Sequence, residues 1–246
     1  MQQKAKNCKG INRAKEHQGC NTETLNRKFG LCPSCLYDWM TTTENGKIYY
    51  QKQFLPKTKI ASNKNRKRLI KEKKISIMTA DNYRKSYVQP LINKIARLID
   101  FGHPCIATGN FGKMNGGHYR SVGSNRTLAL NLHNIHIQSF ESNVFRGGDD
   151  KNYQDGLKDL YGLEYFDFVD GLRKQKPINL SKDDLKRIKE IAQQICNKLD
   201  KNNFIRSVED RIIARNAVNR ELGIYDLEYS IYELPKTSKK RTQPSL

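Results

Sequence analysis

Between His103 and Tyr153 the chain gathers four of its five histidines, together with a Gly-Gly-His-Tyr-Arg turn at 116–120 and a second polar run, Asn-Leu-His-Asn-Ile-His, at 131–136. A neutral imidazole with a pKa near ~6.5 can take a proton from water at physiological pH. Amide oxygens and imidazole nitrogens beside it could hold a divalent ion that stabilises a leaving oxygen. His118, placed after two glycines, is the best candidate for the base.

Such groups need elements to aim them. The spacing predicts a hairpin that delivers one His, a strand or loop that delivers Asn and His, and then a helix presenting Asn143 and Arg146. That order resembles the HNH, or ββα-metal, nuclease site. The expected fold class is therefore α+β: a small ββα-metal (HNH-like) core flanked by helices, with an N-terminal zinc-knuckle-like module.

The N-terminal module rests on four cysteines. Cys8, Cys20, Cys32 and Cys35 could supply four thiolates to a tetrahedral Zn²⁺ and so close a segment too short to bury a core. Gly19 and Gly30, each just ahead of a cysteine, allow the tight backbone this needs. Cys8 and Cys20 are eleven residues apart, wider than the usual two to four, and His17 is an alternative ligand to Cys20. After the last cysteine, Leu36 to Trp39 reads as the start of a short helix whose Tyr37 and Trp39 pack on the module.

Composition says what these sites would meet. With 45 Lys and Arg against 25 Asp and Glu, the formal charge is +20 on 246 residues, a field that holds polyanions. DNA is the expected partner. No apolar run approaches the ~20 residues of a membrane span, and the N-terminus lacks the apolar stretch of a signal peptide, so no membrane partner and a cytoplasmic location are expected. In that compartment cysteines stay reduced and serve as ligands or buried thiols. With 37% hydrophobic residues, small cores joined by basic segments are anticipated.

One such segment runs from Lys52 to Lys74. Its Arg66, Lys67, Arg68, Lys71 and Lys73 are opposed only by Glu72, and the repulsion predicts an extended or frayed tether that tracks phosphates. Helical patterns follow, from Thr79 through Tyr83, Tyr87, Leu91, Ile95 and Leu98, with Pro90 as a kink point, and from a Ser181 cap through Leu185, Ile188, Ile191, Ile195 and Leu199. Next come a helix over about 204–222, a strand around 224–232 and a basic disordered tail at 236–241. The domain plan is thus a Cys-rich module at 1–45, a basic linker at 46–78, a nuclease domain with flanking helices at 79–200 and an extension at 201–246.

The motifs His103-Pro-Cys-Ile106, Gly117-His-Tyr-Arg120, Asn134-Ile-His-Ile-Gln138, Asn143 and Tyr153 resemble the core of the phage NinG/Rap recombination-protein family, over most of the chain to about residue 200. The resemblance implies a metal-dependent endonuclease, encoded by a phage or prophage, that acts on branched DNA such as Holliday junctions. It implies His118 as general base, Asn134 as its orienting residue and Asn143 as a ligand to Mg²⁺ or Mn²⁺. His136 would be a second ligand or a phosphate contact. Arg120, Arg126 and Arg146 would bind DNA, the guanidinium fork matching phosphate oxygens. Paired cuts on a four-way junction would suit a homodimer.

Two departures from the family pattern stand out. The family's two Cys-x-x-Cys knuckles are reduced here to Cys105 with Thr108 and Ser139 with Ser142, so no zinc is expected in the hairpin. Packing of Ile106, Phe111, Ile135, Ile137, Phe140 and Phe145 must hold it instead. Gly117 stands where many HNH sites have an acidic ligand, leaving Asp149, Asp150 or the substrate phosphate to balance a metal's charge. These losses also make a catalytically inactive DNA-binding accessory the alternative reading. An RNA-binding basic protein, favoured by charge alone, is the third.

Overall fold

The computed structural model describes residues 4–145, 147–201 and 204–235, and the chain divides into two compact units, Met1–Ile77 and Met78–Leu246. In the first, a two-residue ladder pairs β1 (Lys6–Asn7) antiparallel with β2 (Glu23–Thr24). Helices α1 (Pro33–Thr42) and α2 (Glu44–Tyr49) follow. Cys32 is the N-cap of α1 with Pro33 next to it, where a missing N–H costs nothing. The core here is small. Trp39 is fully buried, edge-on to Phe29 at 5.7 Å, and its Nε1 donates to Glu16 Oε1 at 2.7 Å. Tyr37, expected to pack beside it, is 62% exposed on the opposite side of the helix.

The basic tether is helical, contrary to the sequence expectation. Helix α3 (Leu55–Ile77) buries no residue, so propensity and local pairs carry it. Lys and Arg are good helix formers, and Arg68 Nη1 lies 3.3 Å from Glu72 one turn on. Pro56 sits in its first turn, and the five residues before the helix, Tyr50–Phe54, are π-helical. The same arrangement recurs at Pro90. A proline ring crowds the carbonyl four residues back, and a widened turn relieves that clash.

In the second unit, Thr79 caps α4 (Ala80–Tyr83), a π segment spans Arg84–Val88, and α5 (Gln89–Ile99) begins with Pro90 in its first turn. Strands β3 (Met114–His118) and β4 (Ile135–Ser139) pair antiparallel, with Gly116 opposite Ile137 and Gly117 opposite His136. The later helices are α6 (Asp150–Tyr161), α7 (Leu163–Gly171), α8 (Lys182–Lys201), α9 (Val208–Leu222) and α10 (Leu227–Ser230). The unit is therefore helix-rich α+β, with a two-stranded sheet followed by helix α6.

Ser181 and Asp184 form the expected reciprocal cap of α8: Asp184 N donates to Ser181 Oγ at 3.1 Å, and Ser181 N to Asp184 Oδ2 at 3.0 Å. Helix α9 starts later than the sequence pattern indicates, because Ser207 takes the cap position and accepts from Asp210 N. The strand expected around 224–232 is replaced by α10 and its flanking loops. The basic tail lies outside the described residues.

The apolar stripe of α5 (Ile92, Ile95, Ala96, Leu98, Ile99) is buried, each large side chain contributing about 1.5–3 kcal/mol. Close backbone approach lets the hairpin sit on this helix: a Cβ on Gly116 would come within 2.8 Å of Asn93 O. A second cluster joins Ile106, Tyr119, Leu128, Tyr153, Leu157, Tyr165 and Val169. Of the residues expected to hold the hairpin by packing, Ile106, Ile135 and Ile137 are buried, whereas Phe111 and Phe145 are 73% and 75% exposed.

A buried ion-pair cluster ties α9 to this core, with Asp100 facing Arg215 and, at 3.9 Å, Arg211, both from that helix. Asp100, 0% exposed, accepts from Arg215 Nη2 at 2.7 and 2.8 Å, and its Oδ2 also accepts from Ile137 N at 2.8 Å. Arg215 Nε donates to Leu132 O, and Asn219 Oδ1 accepts from Leu132 N. Helix α9 thereby fixes the run that leads into β4.

Candidate functional site

His118 closes β3, and Gln89 of α5 reaches its ring. Its Nε2 lies 3.0 Å from Ala129 O and 3.2 Å from Gln89 Nε2. Gln89 Oε1 accepts from Arg84 Nη1, which fixes the amide orientation, and Nε2 then reaches Ala129 O at 2.7 Å and Asn93 Oδ1 at 2.9 Å. Those two acceptors use both amide hydrogens. The proton on Nε2 of His118 therefore goes to Ala129 O, and the basic lone pair is on Nδ1. Burial holds this imidazole below its ordinary pKa, and the charge of Arg84 pushes the same way, so the ring is neutral at physiological pH.

Asn134 makes no hydrogen bond to the His118 ring. Its Oδ1 accepts from Arg120 N at 2.8 Å, its Nδ2 donates to Arg120 O and Leu128 O, and Tyr119 N donates to Asn134 O. It staples the backbone that follows the histidine and so acts on its position through the chain.

Asn143 lies in a π turn, Glu141–Phe145, after β4. Gln138 supports that loop through Nε2, which donates to Gly148 O at 2.5 Å and Ser142 Oγ at 3.1 Å. Asn143 lines a cleft of about 410 Å³ with Lys85, Gln89, Asn93, Arg97 and Asn115. The sequence reading missed these five. Their signal was present, since Lys85, Gln89, Asn93 and Arg97 recur every fourth residue, a polar stripe beside the apolar one on the same helical run. Two cations and four amides suit a phosphate oxyanion.

That lining is a poor fit to a resident Mg²⁺ or Mn²⁺. Such ions favour at least one carboxylate, and none of the residues lining the cleft is acidic. Gly117 cannot supply one by simple replacement, because a Cβ there would lie 2.0 Å from Gln138 Oε1. Asp149 turns instead toward Ser142 Oγ and Asn152 Nδ2.

His136 is no ligand or phosphate contact. It is fully buried, with Nδ1 3.1 Å from Tyr153 Oη and Nε2 3.4 Å from Tyr165 Oη. Burial depresses its pKa strongly. His133 behaves alike, packed against Tyr165 and Asn216 with its pKa driven down to about 3, chiefly by burial. Tyr153 Oη joins this core to the hairpin, donating to Gly117 O and accepting from His136 N.

Arg120 pairs through Nη2 with Asp170 and stacks on Tyr119, with the guanidinium carbon 4.6 Å from the ring centre, while its Nε has no partner. Arg126 is 71% exposed in its side chain and 3.9 Å from Asp81. Arg146 lies outside the described residues. Arg66, Lys67, Arg68, Lys71 and Lys73 are all exposed on α3.

In the first unit the cysteine expectation is met by geometry. The sulfurs of Cys8, Cys20, Cys32 and Cys35 all lie within 4.8 Å of one another, the pair Cys20–Cys32 at 3.7 Å. Tetrahedral Zn–S bonds of ~2.3 Å put sulfurs roughly 3.8 Å apart, so the set is sized for zinc. Gly19 and Gly30 adopt φ of 76° and 80°, and a Cβ on either would meet backbone atoms of the Cys8–Lys9 segment within 2.3 Å. His17 is not a ligand: its Nε2 pairs with Asp38 at 2.9 Å and its Nδ1 accepts from Gly19 N. Hydrogen bonding to the Thr22 side chain pulls the Cys20 thiol down to about 6, while burial and the neighbouring thiols push Cys35 up to about 12. Four sulfurs this close cannot all ionise without a cation. Among the described residues this is the one His, Cys, Asp and Glu cluster with metal-binding geometry.

Residues 2–202 match the family model described as bacteriophage lambda NinG protein. The chain belongs to the NinG family. No curated protein and no solved structure matches it. Family membership ties this NinG chain to phage recombination, and no helix among its described residues is long and apolar enough to cross a membrane. The matched span ends before α9, so Arg215, Asn216 and Asn219 lie outside it.

Proposed function

We propose that this NinG protein is a structure-selective DNA endonuclease acting on branched recombination intermediates such as Holliday junctions. The observation that carries the reading is a neutral His118 joined through Gln89 to the cationic, amide-lined cleft that Gln89 and Asn143 share, His118 itself standing beside that lining and not in it. The strand, strand and helix order around His118, Asn134 and Asn143 supports an HNH-like reading of the second unit. In this reading Lys85 and Arg97 hold the scissile phosphate, Asn143 positions it, and His118 Nδ1 takes the proton from the attacking water. Asn134 and Gln89 act as positioning residues. Structural zinc in the four-cysteine module and DNA contacts along α3 complete the proposal.

The absence of a carboxylate from the cleft favours a second reading, a recombination accessory that binds branched DNA without cutting it. Cleavage of a four-way junction and of linear duplex, with Mg²⁺, with Mn²⁺ and with chelator, separates the two. Cutting of the junction by wild type, abolished in His118→Ala with junction binding retained, is the expected result. An unchanged rate in His118→Ala would sink the assignment of the base. No cutting by wild type under any ion leaves the accessory reading.

A further inference from the structure

At the opposite end of the β3–β4 ladder from His118, a second pocket of about 290 Å³ opens between Phe111 and Phe140. Thr108, Asn110, Ser139 and Ser142 give it a polar floor, and Glu141 lines it as well. Phe111 is 73% exposed in a chain with few apolar residues, and Phe145, 75% exposed, meets Phe140 edge-on at 5.7 Å. Lys113 Nζ stands 4.7 Å over the Phe140 ring. Exposed rings on a strongly cationic surface seldom serve stability.

We infer that this pocket takes a single unpaired nucleobase of a branched or frayed DNA, stacked against Phe111 and Phe140, with its edge bonded to Asn110 and Ser139, the Ser142 hydroxyl being held by Gln138 and Asp149. The overall charge decides the occupant: the pocket lining carries one cation, Lys113, and one acid, Glu141, but the chain's formal charge of +20 offers the apolar rings to a polyanion and not to an apolar peptide. Aromatic faces stack on any base without regard to sequence, and hydroxyls and amides can pair with a base edge once it leaves the duplex. Position fits as well. Gly116 lines the phosphate cleft and Lys113 the base pocket; they are three steps apart along the chain, roughly 10 Å at ~3.3 Å per residue, so one strand of DNA can engage both. Intact duplex has no free base to offer, and a branch point does. This inference rests on the proposed DNA reading and gives its structural selectivity a location.

The test uses the full-length chain and DNA carrying 2-aminopurine at the branch point, with matched linear duplex as control. Affinity and emission are read without added divalent ion, and cleavage is read separately. Wild type should raise the emission of branched DNA as the base unstacks, while Phe111→Ala should bind that DNA about tenfold or more weakly, lose the rise and leave duplex affinity unchanged. Phe111→Trp, which keeps a stacking face, should restore both. Junction preference and emission in Phe111→Ala equal to wild type would overturn the pocket, even if the protein cuts DNA. Base capture that persists in a protein that never cuts would instead refute the endonuclease reading and leave the pocket standing.

Discussion

Changing Asp100 to Asn removes one charge at the centre of the second unit while keeping its size. The structure gives the cost. Asn can still accept from Ile137 N through its Oδ1, so that backbone bond survives. Arg215, 0% exposed, can keep a bond to that same oxygen but loses the one at 2.8 Å to the other, and both it and the buried Arg211 are left without their counter-ion. Breaking a buried pair by removing one partner costs about 3–5 kcal/mol. For a unit of this size each kcal/mol lowers the midpoint by roughly 2–4 °C, which predicts a drop of roughly 6–20 °C. Asp100→Ala should be worse by another ~1–3 kcal/mol, because Ile137 N is then unpaired as well. The single tryptophan, Trp39, lies in the first unit, so the two units can be followed apart. Tyrosine near-UV circular dichroism should show the shift, and Trp39 emission should melt at its wild-type temperature. A loss below ~1 kcal/mol in Asp100→Asn would refute the assignment of the pair as the main tie between α9 and the hairpin.

Purified protein should carry one zinc per chain, lost in Cys32→Ser with Cys35→Ser and kept when Cys105 is changed; metal analysis decides, and zinc that follows Cys105 would put the site elsewhere. Replacing Arg66, Lys67, Arg68, Lys71 and Lys73 by Gln should weaken binding to junction and duplex alike. It should also flatten the slope of log affinity against log salt by roughly 0.9 for each phosphate no longer neutralised, read from titrations at several salt concentrations. Acid should destabilise the second unit early. The pKa of His133 is about 3 folded against ~6.5 unfolded, so the unfolded chain binds the extra proton in between. Stability is full above ~6.5 and falls by about 1.4 kcal/mol per pH unit for such a histidine as pH drops toward 3, with His136 acting in the same direction. Urea midpoints at pH 7 and pH 5 that coincide would contradict this.

Much of the second unit was legible in the sequence because its signals are local. Thr79 and the Ser181–Asp184 box mark helix starts by side-chain chemistry, and the glycines at 116 and 117 mark where a strand must approach a helix or a cross-strand glutamine. The cysteine site was legible for the same reason, thiolates and positive-φ glycines being near one another in the chain. What misled was residue type read without burial. His136 has the right identity and spacing for a ligand, but three tyrosines from α6 and α7 enclose it. Arg120 reads as a phosphate fork until Asp170, fifty residues on, takes it. In the basic segment, repulsion was weighed above helix propensity, and the helix won. The cleft residues on α5 are masked in the sequence by the stronger apolar stripe beside them.

The anchoring of β4 by helix α9 bears on how such a gene can be divided. Arg215, Asn216 and Asn219 come from beyond the span shared with the family, yet they neutralise Asp100, hold His133 and bond the backbone at Leu132. A fragment ending at the family boundary would keep every proposed site residue and lose the counter-charge at its centre. Nor could the first 202 residues be exchanged for those of a relative without a matching partner for this helix. The matched span and the helix beyond it must therefore vary together, and a relative that lacks the arginine should also lack the aspartate.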